Sequence, residues 1–234
     1  MIIRRDEADY FFITQPDHAA LARRVMERCV ALQSHPRATS ILVAIGEHDN
    51  GWAEPDAAPL VNAETGEPLD FIHVPPAVRQ AVWPRGVARL SADPWAAALV
   101  AHHAWAVYDR YHGDEEWKAF FARMEALRDS LVSQSGEPLA NLLEDYRFVR
   151  LGDLISLVFC TAWKEPQRYN EWTVSREANV VSVTPEPFDV HRIPVTITGK
   201  RLPLVPYRTN EDVRAALTKA PAELLRGEVI GHDA

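Results

Sequence analysis

The chain places ionisable side chains where its helices should bury hydrocarbon, and this limits how those helices can pack. Thr14-Gln15-Pro16-Asp17 reads as a helix start, a capping hydroxyl with proline near the first helical position. The stripe that follows is Ala22, Val25, Met26 and Cys29, and His18 falls on the same face. A second helix after Pro36 turns Ile41, Ala44 and Ile45 inward and carries that face on into His48-Asp49. Asn50-Gly51 then ends it, with the glycine expected in the left-handed C-terminal conformation. Late in the chain, Asp153 interrupts a stripe of Tyr146, Val149, Leu157 and Cys160. Imidazole and carboxylate on apolar faces are costly unless hydrogen-bonded, paired or bound to a metal, so the helices that carry them are expected to converge.

Each position alone has a plainer reading. A lone His18 is more often a core histidine bonded to a backbone carbonyl. A lone Asp153 needs only a cation, although Val149 and Leu157, not a base, occupy the places one turn away on its face. His48-Asp49 is the sharpest element, because the pair offers a neutral nitrogen and an anionic oxygen to one ion. In the next long helix His102 and His103 point about 100° apart. His103 shares a face with Val100 and Val107 and is the expected inward residue, while His102 lies nearer Trp95 and Leu99. His73 and His112 read as loop or surface residues, and His35, His191 and His232 as structural or exposed. Trp52, directly after the pair, is placed to wall a cleft.

Between these positions the pattern predicts a short strand or hairpin over residues 1–14, a first helix to about Leu32, and a long punctuated loop over 50–75. Further helices are expected over 76–83, 94–111, 114–134 and 138–163. Val180–Val183 and Val195–Thr198 are β-branched runs that predict a hairpin or small sheet, followed by a last helix over 210–219 and a loose tail from Gly231. The 234 residues carry a net charge of 25 − 33 = −8, which argues against nucleic acid or an anionic membrane as main partner. No apolar run approaches the roughly 20 residues of a membrane span. Cys29 and Cys160 fall on apolar faces and read as buried free thiols, which makes the cytoplasm the expected compartment. There is no CxxC, GxGxxG or P-loop.

His18, His48-Asp49 and Asp153 together resemble the H…HD…D signature of the HD-domain superfamily of metal-dependent phosphohydrolases. More closely, His48-Asp49-Asn50-Gly51-Trp52, Gln15-Pro16-Asp17-His18 and Leu99-Val100-Ala101-His102-His103 are similar to a little-characterised bacterial family of like length. The resemblance covers roughly residues 15–165. It implies a mainly α fold, an HD-domain-like helical bundle over 1–172; the β-branched runs, which are not part of that fold, add a small β-rich extension over 173–234, α+β overall. It implies one or two divalent transition-metal ions bound by His18, His48, Asp49 and Asp153, with His103 meeting substrate phosphate or helping to hold a second ion. Mixed nitrogen and oxygen ligands suit manganese, iron, cobalt, nickel or zinc better than magnesium or calcium. Dinuclear relatives place two well-separated histidines between the pair and the last aspartate. Here His103 is one, and His73, His102 or neither is the other. The implied activity is hydrolysis of a small phosphate ester or nucleotide, with Asp49 and His103 catalytic. A di-iron oxygenase and a non-catalytic binding scaffold are the rivals. The implied partner is a small molecule, with a homodimer through the β-rich tail left open.

Overall fold

The computed structural model describes residues 1–233. A hairpin of β1 (Ile2–Arg5) and β2 (Asp9–Ile13) opens the chain. The helices follow: α1 (Gln15–Met26), α2 (Val30–Gln33), α3 (Ala38–Glu47), α4 (Ala53–Ala57), α5 (Pro76–Ala88), α6 (Pro94–Val107), α7 (Glu115–Ser135) and α8 (Leu139–Thr161). Then come β3 (Gln167–Tyr169), β4 (Trp172–Glu177), β5 (Val180–Thr184), β6 (Arg192–Pro203), α9 (Asn210–Lys219) and β7 (Ala222–Gly231).

The strands form one seven-stranded sheet in the order β1-β2-β6-β7-β5-β4-β3. All neighbours are antiparallel except β5 and β7. This corrects the expectation of a mainly α, HD-domain-like bundle with a small appended hairpin. The chain is α+β, 51% helical, with a sheet that unites the N-terminal hairpin with the C-terminal strands. The physical reason lies in the outward faces of the strands. β6 buries Ile193, Val195 and Ile197 in alternation, but its other face carries Thr196, Thr198 and Lys200, and Arg201 interrupts the apolar face itself, so only part of its length reads as a strand. β7 begins Ala-Glu-Leu-Leu-Arg, five good helix formers, and takes its strand form from pairing with β6 and β5. Gly231, read as the start of a loose tail, pairs with Val183 instead.

Helices α1, α3, α6 and α8 pack on one another, and α1 and α8 pack on the inner face of the sheet, where Val174, Val181, Val183, Val195, Ile197 and Val229 join a single core with Val158 and Phe159 of α8. The first helix ends at Met26, earlier than its stripe suggests, because Cys29 bridges to Phe188 and draws the chain onto the sheet side. The loop over 50–75 carries a 3-10 turn (Asn50–Trp52) and α4. An ionic tie fixes the far end of α8: the fully buried Asp145 accepts from Arg37 Nε at 2.6 Å, Arg37 Nη2 at 3.1 Å and Trp95 Nε1 at 2.9 Å. It joins the start of α3, α6 and α8, the three helices that bring His48, His103 and Asp153 together.

Candidate metal centre

His18 sits one turn into α1. Thr14 caps that helix, accepting from Asp17 N at 3.1 Å, and the side chain of His18 points into the core. His48 is the C-terminal cap of α3, and Asp49 follows before the 3-10 turn. Two glycines bring these elements into contact. A Cβ on Gly51 would lie 2.0 Å from the carbonyl oxygen of Val82, so only glycine lets the turn after Asp49 press against the α5 backbone. Its φ is not positive, so close approach and not a left-handed cap explains it. On α8 a Cβ at Gly152 would lie 2.9 Å from Met26 and 3.1 Å from Ile45, and its absence seats α8 against α1 and α3 beside the next residue, Asp153.

All five predicted residues meet. His18, His48, Asp49, His103 and Asp153 are each at least nine-tenths buried. His18 Nε2 lies 3.0 Å from His48 Nε2, 3.4 Å from Asp49 Oδ2 and 3.3 Å from Asp153 Oδ1. His48 Nε2 lies 3.6 Å from Asp49 Oδ2 and 3.5 Å from Asp153 Oδ1. Donors about 2.1 Å from a common ion stand about 3.0 Å apart at right angles and about 3.4 Å apart in a tetrahedron, so each of these pairs is spaced as two ligands of one transition-metal ion can be.

The tautomers agree. His48 Nδ1 donates to the Ile45 carbonyl at 2.7 Å, which leaves Nε2 as a lone pair. Ser156 Oγ donates to the carbonyls of Gly152 and Asp153, both at 3.0 Å, and so accepts from His18 Nδ1 at 2.8 Å. His18 Nε2 is then free to ligate. Such bonds from the far ring nitrogen are what hold metal-binding histidines in place. Two imidazole lone pairs and two buried carboxylates this close together are costly without a cation among them. Without a metal, a proton takes that place. Burial pushes the His18 imidazole down, but Asp153 and Asp49 outweigh it and hold its pKa well above the usual value. Burial opposes the charge on both carboxylates. His48 and His18 nevertheless lower the pKa of Asp49, while Arg150, His18 and His48 hold that of Asp153 well below the carboxylate range. Two buried triads, His18, His48 and Asp49, and His48, His103 and Asp153, have ligand atoms within 4.8 Å of one another and could hold a metal ion.

His103 stands at the edge, its Nε2 3.8 Å from Asp153 Oδ2 and its Nδ1 3.1 Å from the Tyr146 hydroxyl. Burial holds its pKa down to about 3, so it is a neutral imidazole at pH 7. The other histidines stay apart. His102 packs edge-on to Tyr146 and stacks on Trp105, and His73 is exposed and bonds to Asp70 at 2.6 Å. Among the described residues the two such triads share His48, and the second brings His103 in beside Asp153.

Asp49, His103 and Asp153 line a cleft of about 260 Å³, while His18 and His48 stand behind them. Trp52, Trp83, Trp163, Tyr108 and Phe71 supply its aromatic walls, and Arg79, Arg110 and Arg150 its positive charge. Trp52 walls the cleft as its position after His48-Asp49 suggested. The helical pattern did not reveal Ser156, Tyr146 or the arginines. Arg150 is three residues before Asp153 and pairs with its Oδ2, so the cation absent from the four-residue positions stands at the three-residue one. Ser156 had a signal of the same kind, lying three residues after Asp153.

A family described as a protein of unknown function (DUF3891) matches residues 1–204. No curated protein and no solved structure matches the chain.

Proposed function

We propose that this chain, which belongs to the DUF3891 family, is a metal-dependent hydrolase of a small phosphate ester. The observation that carries the reading is the four-donor cluster of His18, His48, Asp49 and Asp153 opening directly onto a cleft where Arg150 adds positive charge beside it. The H…HD…D order of the ligands is similar to that of HD-domain phosphohydrolases and supports the reading at the level of the site alone. The donor set suits manganese, iron, cobalt, nickel or zinc, and its spacing suits one ion.

Such an ion lowers the pKa of a water and polarises a phosphoryl oxygen. The residues do the rest. Asp49, ionised and facing the cleft, orients the attacking water through the carboxylate oxygen that does not ligate and takes its proton as the P–O bond forms. His103 accepts from Tyr146 at Nδ1 and offers Nε2–H to a phosphoryl oxygen, stabilising the charge that builds up there. Arg150 holds Asp153 in place and adds positive charge on the same side. The ester P–O bond breaks, and the leaving oxygen takes a proton through the solvent-connected cleft. With a volume of about 260 Å³ the cleft suits a small ester better than a polymer.

The test is phosphate release. Protein loaded in turn with manganese, iron, cobalt, nickel and zinc is offered a panel of phosphomonoesters and nucleotides. The reading predicts turnover that falls at least about 100-fold in Asp49→Asn and about 10- to 100-fold in His103→Gln, magnitudes typical for a proton acceptor and a charge-stabilising donor. Stoichiometrically loaded protein that releases no phosphate from any ester would defeat it.

A further inference from the structure

Two arginines in the cleft have no partner for their charge. Arg79 of α5 is 8% exposed, and its Nε is buried without a hydrogen-bond acceptor. Its Nη1 donates to the Tyr111 hydroxyl at 2.9 Å, and Arg110 Nη2 donates to the same oxygen at 2.9 Å. Among the described residues no carboxylate lies within ion-pair distance of either arginine. The neighbouring Asp109 turns to His112, at 3.8 Å. Arg79 lies over the rings of Tyr111 and Trp117, at 5.2 and 5.3 Å, and Arg110 lies 4.8 Å from the centre of the Tyr111 ring. Cation–π contact accounts for a buried guanidinium on aromatic faces. It does not account for two guanidiniums converging on one phenol oxygen, where like charges repel and one of them is desolvated. An anion between them would remove both costs through charge-assisted, bidentate hydrogen bonds.

Arg150, the third arginine of the cleft, is already tied to Asp153 and belongs to the metal side. Arg79 and Arg110 come from α5 and from the short turn after α6 (Asp109–Tyr111) and form a separate wall. We propose that Arg79 and Arg110 are a second anion subsite, so that the substrate is a small phosphate ester bearing another anionic group, a carboxylate or a second phosphate. This inference rests on the phosphohydrolase reading above and adds the substrate class. Tyr111 is its positioning residue, aligning both guanidiniums through one oxygen. The aromatic walls between the two ends suit an apolar or flat linker.

The experiment is calorimetric titration of manganese-loaded protein with carboxyalkyl phosphates of two to five carbons, each compared with the uncharged alkyl phosphate of equal length. One carboxyalkyl phosphate of matching span should bind about tenfold or more tighter than its alkyl counterpart, as expected for a new ion-paired contact. Arg79→Gln and Arg110→Gln should each remove that preference while leaving alkyl phosphate affinity within about twofold. Arg110 is exposed, so its variant carries the test if Arg79→Gln fails to fold. Equal affinity for both series at every length overturns the second subsite and leaves the phosphate reading standing. A preference that survives both substitutions overturns the assignment to these arginines. Binding of neither series to metal-loaded protein overturns this inference together with the reading it rests on.

Discussion

At the scale of single residues, three of the four candidate ligands are each held by a neighbour outside the set. Ser156 fixes the His18 ring, the Ile45 carbonyl fixes His48, and Arg150 holds Asp153. Ser156→Ala therefore leaves all four ligands present yet lowers metal affinity about 10- to 100-fold, measurable by competition with a chromogenic chelator. His102 gives a different prediction. It is not a ligand, and burial, helped by the nearby Arg128, lowers its pKa from 6.5 to about 4. The unfolded chain takes up this proton near pH 6.5 while the folded chain resists it to about pH 4. The unfolded state thus binds more protons in that window, and stability falls as the pH drops through it. Denaturant titrations from pH 7 to pH 4 should show that slope, reduced in His102→Phe. An unchanged slope would mean that other groups set the acid limb.

At the scale of elements, Gly51 is the hinge of the account, because the turn that carries Asp49 touches the α5 backbone there. Gly51→Ala meets a carbonyl oxygen that cannot rotate away. Overpacking of this kind costs about 1–3 kcal/mol or more and would move Asp49 as well, so melting temperature and metal content should both fall. A similar melting temperature with full metal content would show that the turn yields freely. The buried His and Asp cluster was legible in the sequence because its members break or extend an apolar helical stripe, and that needs only the 3.6-residue period to be seen. Arg79, Arg110 and Tyr111 broke no stripe. They lie on a loop-flanked helix and a short turn, and only the fold brings them to the cleft. The sheet was half legible for a related reason. β5 announces itself with Val180, Val181 and Val183, but β7 is written in helix formers and is a strand because β5 and β6 flank it.

At the scale of the whole molecule, the centre joins what the helices and the sheet hold apart. Its candidate ligands come from α1, from the end of α3 and from α8, and the N-terminal hairpin that enters α1 is itself part of the seven-stranded sheet. An ion bound only by the folded chain stabilises all of it by mass action, about 4 kcal/mol at a thousandfold excess over its dissociation constant. Thermal scans should show the melting temperature falling when the metal is chelated and recovering when it is restored. The central claim is that His18, His48, Asp49 and Asp153 form one transition-metal site, and elemental analysis of the purified protein beside Asp49→Ala tests it most directly. The wild type should carry about one equivalent of a transition metal and the variant a small fraction of that. No metal in the wild type after incubation with manganese, iron or zinc, or equal metal in both proteins, would contradict it.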